Sequence, residues 1–82
     1  MTEQEDWKYQ ARRNLIESVM KEIYHSKDSS EVYLHVFYSL AKFGLHIKAE
    51  KSGLLEQEEW QKKENIDQLI KVIEAFLWKE IR

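Results

Sequence analysis

The stretch from Val32 to Ile47, VYLHVFYSLAKFGLHI, constrains the fold most, because it is too apolar to lie on a surface. On a helix its apolar side chains cover an arc of roughly 240° at about 100° per residue. The polar seam that remains runs along one side of the helix and consists of His35, Ser39, Lys42 and His46. The stretch therefore predicts a central helix that other helices cover on most sides.

Capping residues and helix breakers predict where the first two helices begin and end. Thr2 and Glu5 have the spacing of a capping box, so helix 1 should start there and end near residues 25–27. The cluster Asp28-Ser29-Ser30 is typical of a turn that leads into a helix, and Asp28 and Glu31 have the spacing of a helix cap. Because this connection is short, helices 1 and 2 are expected to be antiparallel neighbours.

Helix 2 is expected over residues 30–51. It would run through Gly44, where the missing side chain would allow another helix to approach closely. Gly53 is expected to end helix 2 in the left-handed conformation, with Leu54 and Leu55 folding back over the helix end.

The last third of the chain has a polar first half and a dense apolar stripe from Ile66 to Ile81. Asn65 with Gln68 has capping spacing, so this region is either one helix or a short and a long helix that meet near Asn65. The predicted fold is an all-α antiparallel bundle of three helices, or four with a break near Asn65, in one domain over residues 1–82. No proline and only two glycines occur in the chain, which favours long helices over hairpins.

Helix 2 and the last helix have wider apolar faces than a three-helix bundle can bury. We therefore expect a homodimer in which one of these helices packs on its own copy, and the alternative is a groove for another protein. Aromatic residues are the usual anchors of interfaces, although they can also close the rim of a bundle. The residues predicted to bind a partner are Trp60, Trp78, Tyr33, Tyr38 and Phe37.

No motif in the sequence defines a catalytic, cofactor or metal site, so we expect an enzyme, a cofactor and a bound metal to be absent. The chain has no cysteine, and His35 and His46 would lie about 16 Å apart along one helix, too far to share an ion. Arg12 interrupts the apolar stripe of helix 1, where its aliphatic stem would cover the core while the guanidinium reaches water.

Charge and hydropathy narrow the class of function. The net charge of −2 has both signs interleaved, so we expect neither nucleic acid nor membrane as a partner. Without a signal-peptide pattern or a membrane span, the expected location is the cytoplasm. We expect a small regulatory or inhibitory protein that binds another protein, of the adaptor, antirepressor, immunity or phage-type inhibitor class. The alternatives are a nucleic-acid-associated transcriptional regulator and a structural or assembly subunit.

Overall fold

The computed structural model describes the backbone of residues 3–81 and the side chains of residues 7–81. Within residues 3–81 the chain folds into α-helices joined by turns, with one short 3-10 helix and no strand. The all-α prediction is confirmed. The α-helices are α1 (Glu3–Ser26), α2 (Val32–Ala41), α3 (His46–Lys51), α4 (Gln57–Gln61) and α5 (Ile66–Glu80), and the 3-10 helix is Lys63–Asn65.

Helix α1 lies antiparallel to both α2 and α5. Lys42, just past the end of α2, comes within 3.8 Å of Glu22 in the second half of α1. At the other helix pair, Lys27 follows the end of α1 and reaches Asp67 at the start of α5 at 3.5 Å. The start of α1 and the end of α5 also meet, because the rings of Tyr9 and Trp78 are 5.9 Å apart. The contact of Lys42 with Glu22 agrees with the predicted antiparallel arrangement of the first two helices.

One apolar cluster joins all five helices. It takes its largest contributions from the apolar faces of α1, α2 and α5, and the short helices α3 and α4 each add one buried side chain. Burial of such side chains is the main favourable term in folding. The buried members are Ile16, Val19, Met20, Ile23, Val32, Val36, Leu40, Ala49, Leu55, Trp60, Ile66, Ile70, Ile73 and Leu77.

The prediction of one helix over residues 30–51 is wrong, because the chain turns at Gly44 between α2 and α3. Gly44 has φ +70°, a left-handed conformation that glycine adopts without a Cβ clash. Its N–H donates to the Ala41 carbonyl, and the Leu45 N–H donates to the Leu40 carbonyl, which is the Schellman ending of a helix. No atom lies within 4 Å of where a Cβ on Gly44 would stand, so this glycine serves the turn and not a close helix approach.

Gly53 ends α3 with the same motif, as the sequence predicts. It has φ +83°, and the Leu54 N–H donates to the Ala49 carbonyl at 3.0 Å. Leu55 then packs into the core, and Leu54 is half-buried against it. The two helix endings share a glycine followed by leucine, and only the second was recognised from sequence.

The break near Asn65, one of the two predicted alternatives, is present. Asn65 does not cap α5 with its side chain; its amide instead donates to the Glu59 carboxylate at 2.9 Å, which ties α4 to the start of α5. At the start of α2 the predicted cap by Asp28 does not form. The Glu31 N–H donates instead to the Ser29 hydroxyl at 3.0 Å. The capping box predicted for Thr2 and Glu5 involves side chains outside the described residues.

Candidate partner-binding surfaces

The five residues predicted to bind a partner lie in three different places. Tyr33, Phe37 and Tyr38 lie together on α2, Trp78 lies where α5 meets the start of α1, and Trp60 is inside the core. Trp60 and Trp78 would point the same way on a continuous last helix. The break between α4 and α5 removes that relation.

A charge-free aromatic surface covers the outer side of α2. We call it the α2 surface, and it consists of Tyr33, Leu34, Phe37 and Tyr38. Their spacing places them on one side of the helix. Helix α2 contains no Asp, Glu, Lys or Arg. The Phe37 ring lies 6.4 Å from that of Tyr33 and 6.0 Å from that of Tyr38. Tyr38 is 61% exposed and Leu34 is 44% exposed, so this surface presents apolar area to solvent.

Trp60 is a core residue, with 1% of its surface exposed. Its indole N–H donates to the Leu54 carbonyl at 2.9 Å, so its one polar group is already bonded within the chain. In this fold Trp60 stabilises α4 and offers no surface to a partner. The sequence could not separate Trp60 from Trp78, because both are tryptophans at the edge of an apolar pattern.

Trp78 forms one wall of a surface hollow between α1 and α5, called here the α1–α5 hollow. The hollow has a volume of about 530 Å³ and is lined by Lys8, Tyr9, Arg12, Trp78 and Lys79. The Tyr9 ring is tilted by 30° against the indole, and the Arg12 guanidinium carbon lies 4.8 Å from the centre of the indole ring. Such stacking of a guanidinium on tryptophan is a cation–π contact.

The guanidinium of Arg12 does not simply reach into water, as the sequence suggested. Its Nε is buried without a hydrogen-bond partner among the described residues, and the group lies against the indole. Sequence reasoning missed Lys8, Tyr9 and Lys79 as members of the same hollow. The one sequence feature that pointed to this hollow was Arg12, a charged residue within the apolar stripe of helix 1, one turn before Ile16.

The polar seam of α2 faces α1, where it forms a second groove of about 480 Å³. His35, Ser39 and Lys42 contribute from α2 and its end, opposite Glu22 and His25 of α1. The break at Gly44 removes His46 from this seam and puts its imidazole against Phe37, with ring centres 5.5 Å apart. Among the described side chains no three His, Cys, Asp or Glu residues come together as a metal site.

A third hollow, of about 600 Å³, lies where the turn after α1 meets the start of α5. It is lined largely by polar residues, among them Asp28, Ser29 and Lys63, and the ion pair of Lys27 with Asp67 lies on its wall.

Several cations outside the α1–α5 hollow lie beside carboxylates. The Nε of Arg13 donates to Glu17 at 2.9 Å, and this hydrogen bond raises the pKa of the guanidinium above its ordinary value. Lys48 donates to Glu80 at 2.8 Å in the same way. By contrast, Lys8, Arg12 and Lys79 form no ion pair within the described residues. The α1–α5 hollow therefore brings together three cations that have no carboxylate partner among the described residues.

None of the helices in the described part of the chain combines the length and the apolarity needed to cross a membrane. No protein-family model matches the sequence, and neither a curated protein nor a solved structure is significantly similar to it.

Proposed function

We propose that this protein is a small cytoplasmic regulator or inhibitor that acts by binding another protein, and that it does so as a homodimer. The observation that carries the homodimer is the α2 surface, a partly exposed and charge-free group of aromatic and aliphatic side chains on a helix whose opposite face already fills the core. Exposed apolar patches of this kind mark interaction sites in soluble proteins.

The α2 surface fits a second copy of the chain. In a two-fold dimer each surface meets itself, so any charge on it would face the same charge. Tyr33, Leu34, Phe37 and Tyr38 carry no charge, and aromatic residues without charge are typical of interface centres. Self-association through α2 would therefore bury apolar area without repulsion.

The α1–α5 hollow fits a different protein. Two copies meeting through this hollow would bring Lys8, Arg12 and Lys79 against the same three cations. A partner of opposite charge would gain attraction there, and Trp78 with Tyr9 supplies aromatic contact area of the kind found at interface hot spots. We assign self-association to α2 and partner binding to the hollow.

The first experiment measures the solution mass by light scattering over a range of concentrations. We expect twice the mass of one chain for the wild type. We expect Leu34→Glu to weaken the dimer by at least about 100-fold in Kd, because a buried carboxylate without a partner costs several kcal/mol and no cation lies one helical turn from position 34. Tyr24→Glu is the matched control, since Tyr24 is also exposed but lies on α1, outside the α2 surface, and this variant should stay dimeric.

The second experiment passes a lysate of the source cell over immobilised wild type and Trp78→Ala, after circular dichroism has shown that the variant is folded. A protein retained by the wild type and lost from Trp78→Ala supports partner binding through the hollow. If light scattering shows a monomeric wild type, the proposed dimer is wrong. If the immobilised wild type retains no protein from the lysate, the proposed binding of a partner is wrong.

A further inference from the structure

We propose that the α1–α5 hollow recognises an acidic segment of the partner protein, with side-chain carboxylates seated among Lys8, Arg12 and Lys79. This inference rests on the proposed function and adds the chemistry of the partner. It starts from the composition of the hollow: among the described side chains its lining has three cations, two aromatic rings and no carboxylate. The chain as a whole has a net charge of −2, so the hollow is opposite in sign to the average surface.

The position of Arg12 is fixed by its aromatic neighbour before any ligand binds. Its guanidinium carbon lies 4.8 Å from the centre of the Trp78 ring, and Tyr9 packs on the same ring at 5.9 Å. A stacked guanidinium loses less conformational freedom on binding than a free one, and its planar donors match the two oxygens of a carboxylate. Arg12 is therefore prepared for a bidentate contact of the kind arginine makes with carboxylates.

The cations of the hollow come from both helices, which places them around one site and not along a line. Lys8 and Arg12 are one turn apart on α1, and Lys79 follows Trp78 on α5. Farther along α1 the next arginine, Arg13, is already bonded to Glu17 at 2.9 Å. The next cation of α1 after Arg13 is Lys21, about two and a half helical turns beyond Arg12 and outside the hollow.

This compact arrangement favours a peptide over a nucleic acid. A nucleic-acid strand is followed by a stripe of cations that contacts several phosphates, whereas these three cations surround a single hollow of about 530 Å³. Glutamate or aspartate side chains next to an apolar residue would use both parts of the hollow. The carboxylates would contact the cations, and the apolar residue would contact Tyr9 and Trp78.

The test uses a fluorescently labelled peptide in which glutamate alternates with leucine, with anisotropy as the readout at low salt. Arg12→Gln should weaken binding by about tenfold or more, the loss expected when one charge-assisted contact disappears. Lys21→Gln removes a charge from α1 outside the hollow and should leave affinity within about twofold. In a nitrogen-15 spectrum the indole N–H signal of Trp78 should shift on binding, while that of the buried Trp60 should not.

Three results would overturn the proposal: equal binding of the same peptide with glutamine in place of glutamate, tighter binding of a labelled oligothymidylate, and no binding at low salt. The lysate experiment separates this failure from that of the proposed function. If Arg12→Gln retains the same cellular protein as the wild type, the acidic-segment assignment is wrong and protein binding stands. If the wild type retains no protein, protein binding itself is wrong.

Discussion

Gly44 shows how one residue decides where a helix ends. With φ +70° and open space around the missing Cβ, its role is conformational and not a matter of packing. We expect Gly44→Ala to lower the free energy of unfolding by about 1 kcal/mol or more, because alanine in the left-handed region clashes with its own backbone. Gly44→Asn should cost less, since asparagine tolerates that region.

Urea unfolding followed by circular dichroism measures both Gly44 variants against the wild type. The comparison with asparagine is the control, because it adds a larger side chain at the same position. If alanine were as stable as glycine, or asparagine less stable than alanine, the conformational explanation of this turn would be wrong.

The Gly-Leu pairs at residues 44–45 and 53–54 are a residue-level signal that the sequence contains twice. At the second pair the helix end was predicted, since Lys48 and Lys51 lie in the last turn before Gly53 and no apolar helical period continues through it. At the first pair the apolar periodicity continued through Phe43, Leu45 and Ile47 and outweighed the glycine. In the fold, Phe43 and Leu45 pack back against the core from the turn, so a helical period was not the reason for their spacing.

The short helices α3 and α4 depend on tertiary contacts. They contain 6 and 5 residues, far fewer than the 12–15 or so that an isolated helix needs in water. Each is attached by one fully buried side chain, Ala49 in α3 and Trp60 in α4. The hydrogen bond from the Trp60 indole to the Leu54 carbonyl also links α4 to the turn that precedes it.

At the scale of this element, Trp60→Phe should lower the free energy of unfolding by about 1–3 kcal/mol. The substitution removes the donor to the Leu54 carbonyl and leaves a small void beside the core. Trp7→Phe is the matched control, because Trp7 is 71% exposed and the same substitution there should change stability by less than about 0.5 kcal/mol. Equal effects in the two urea titrations would contradict the structural role assigned to Trp60.

The whole molecule is longer and has more surface than is usual for its size. Its radius of gyration is 13.4 Å, where about 11.7 Å is typical of a compact chain of this length. Its accessible surface is 6099 Å², against about 5,200 Å² expected from its mass. Helix α1 contributes to this shape, since its 24 residues span about 36 Å and the 15 of α5 about 22 Å.

A dimer also has a thermodynamic signature at this scale. If the dimer and the fold are lost together, a tenfold rise in protein concentration should raise the Tm of the wild type by about 3–6 °C. Leu34→Glu, which introduces a charge into the α2 surface, should have a Tm that does not depend on concentration. Calorimetry over the accessible concentrations makes the measurement, with Tyr24→Glu as control. A wild-type Tm independent of concentration would count against self-association.

The sequence by itself determined the helical class, the apolar stripes of α1 and α5, and the helix ends near Ser26 and Gly53, and it offered a break near Asn65 as one of two alternatives. These features depend on spacing and on residues near in the chain, so local reasoning reaches them. Only the tertiary structure decided that Trp60 is buried while Trp78 lines a hollow. It also brought Lys8 and Arg12 of α1 beside Lys79 of α5. These outcomes depend on which helices meet and where they break, and contacts between residues some 70 positions apart leave no local pattern.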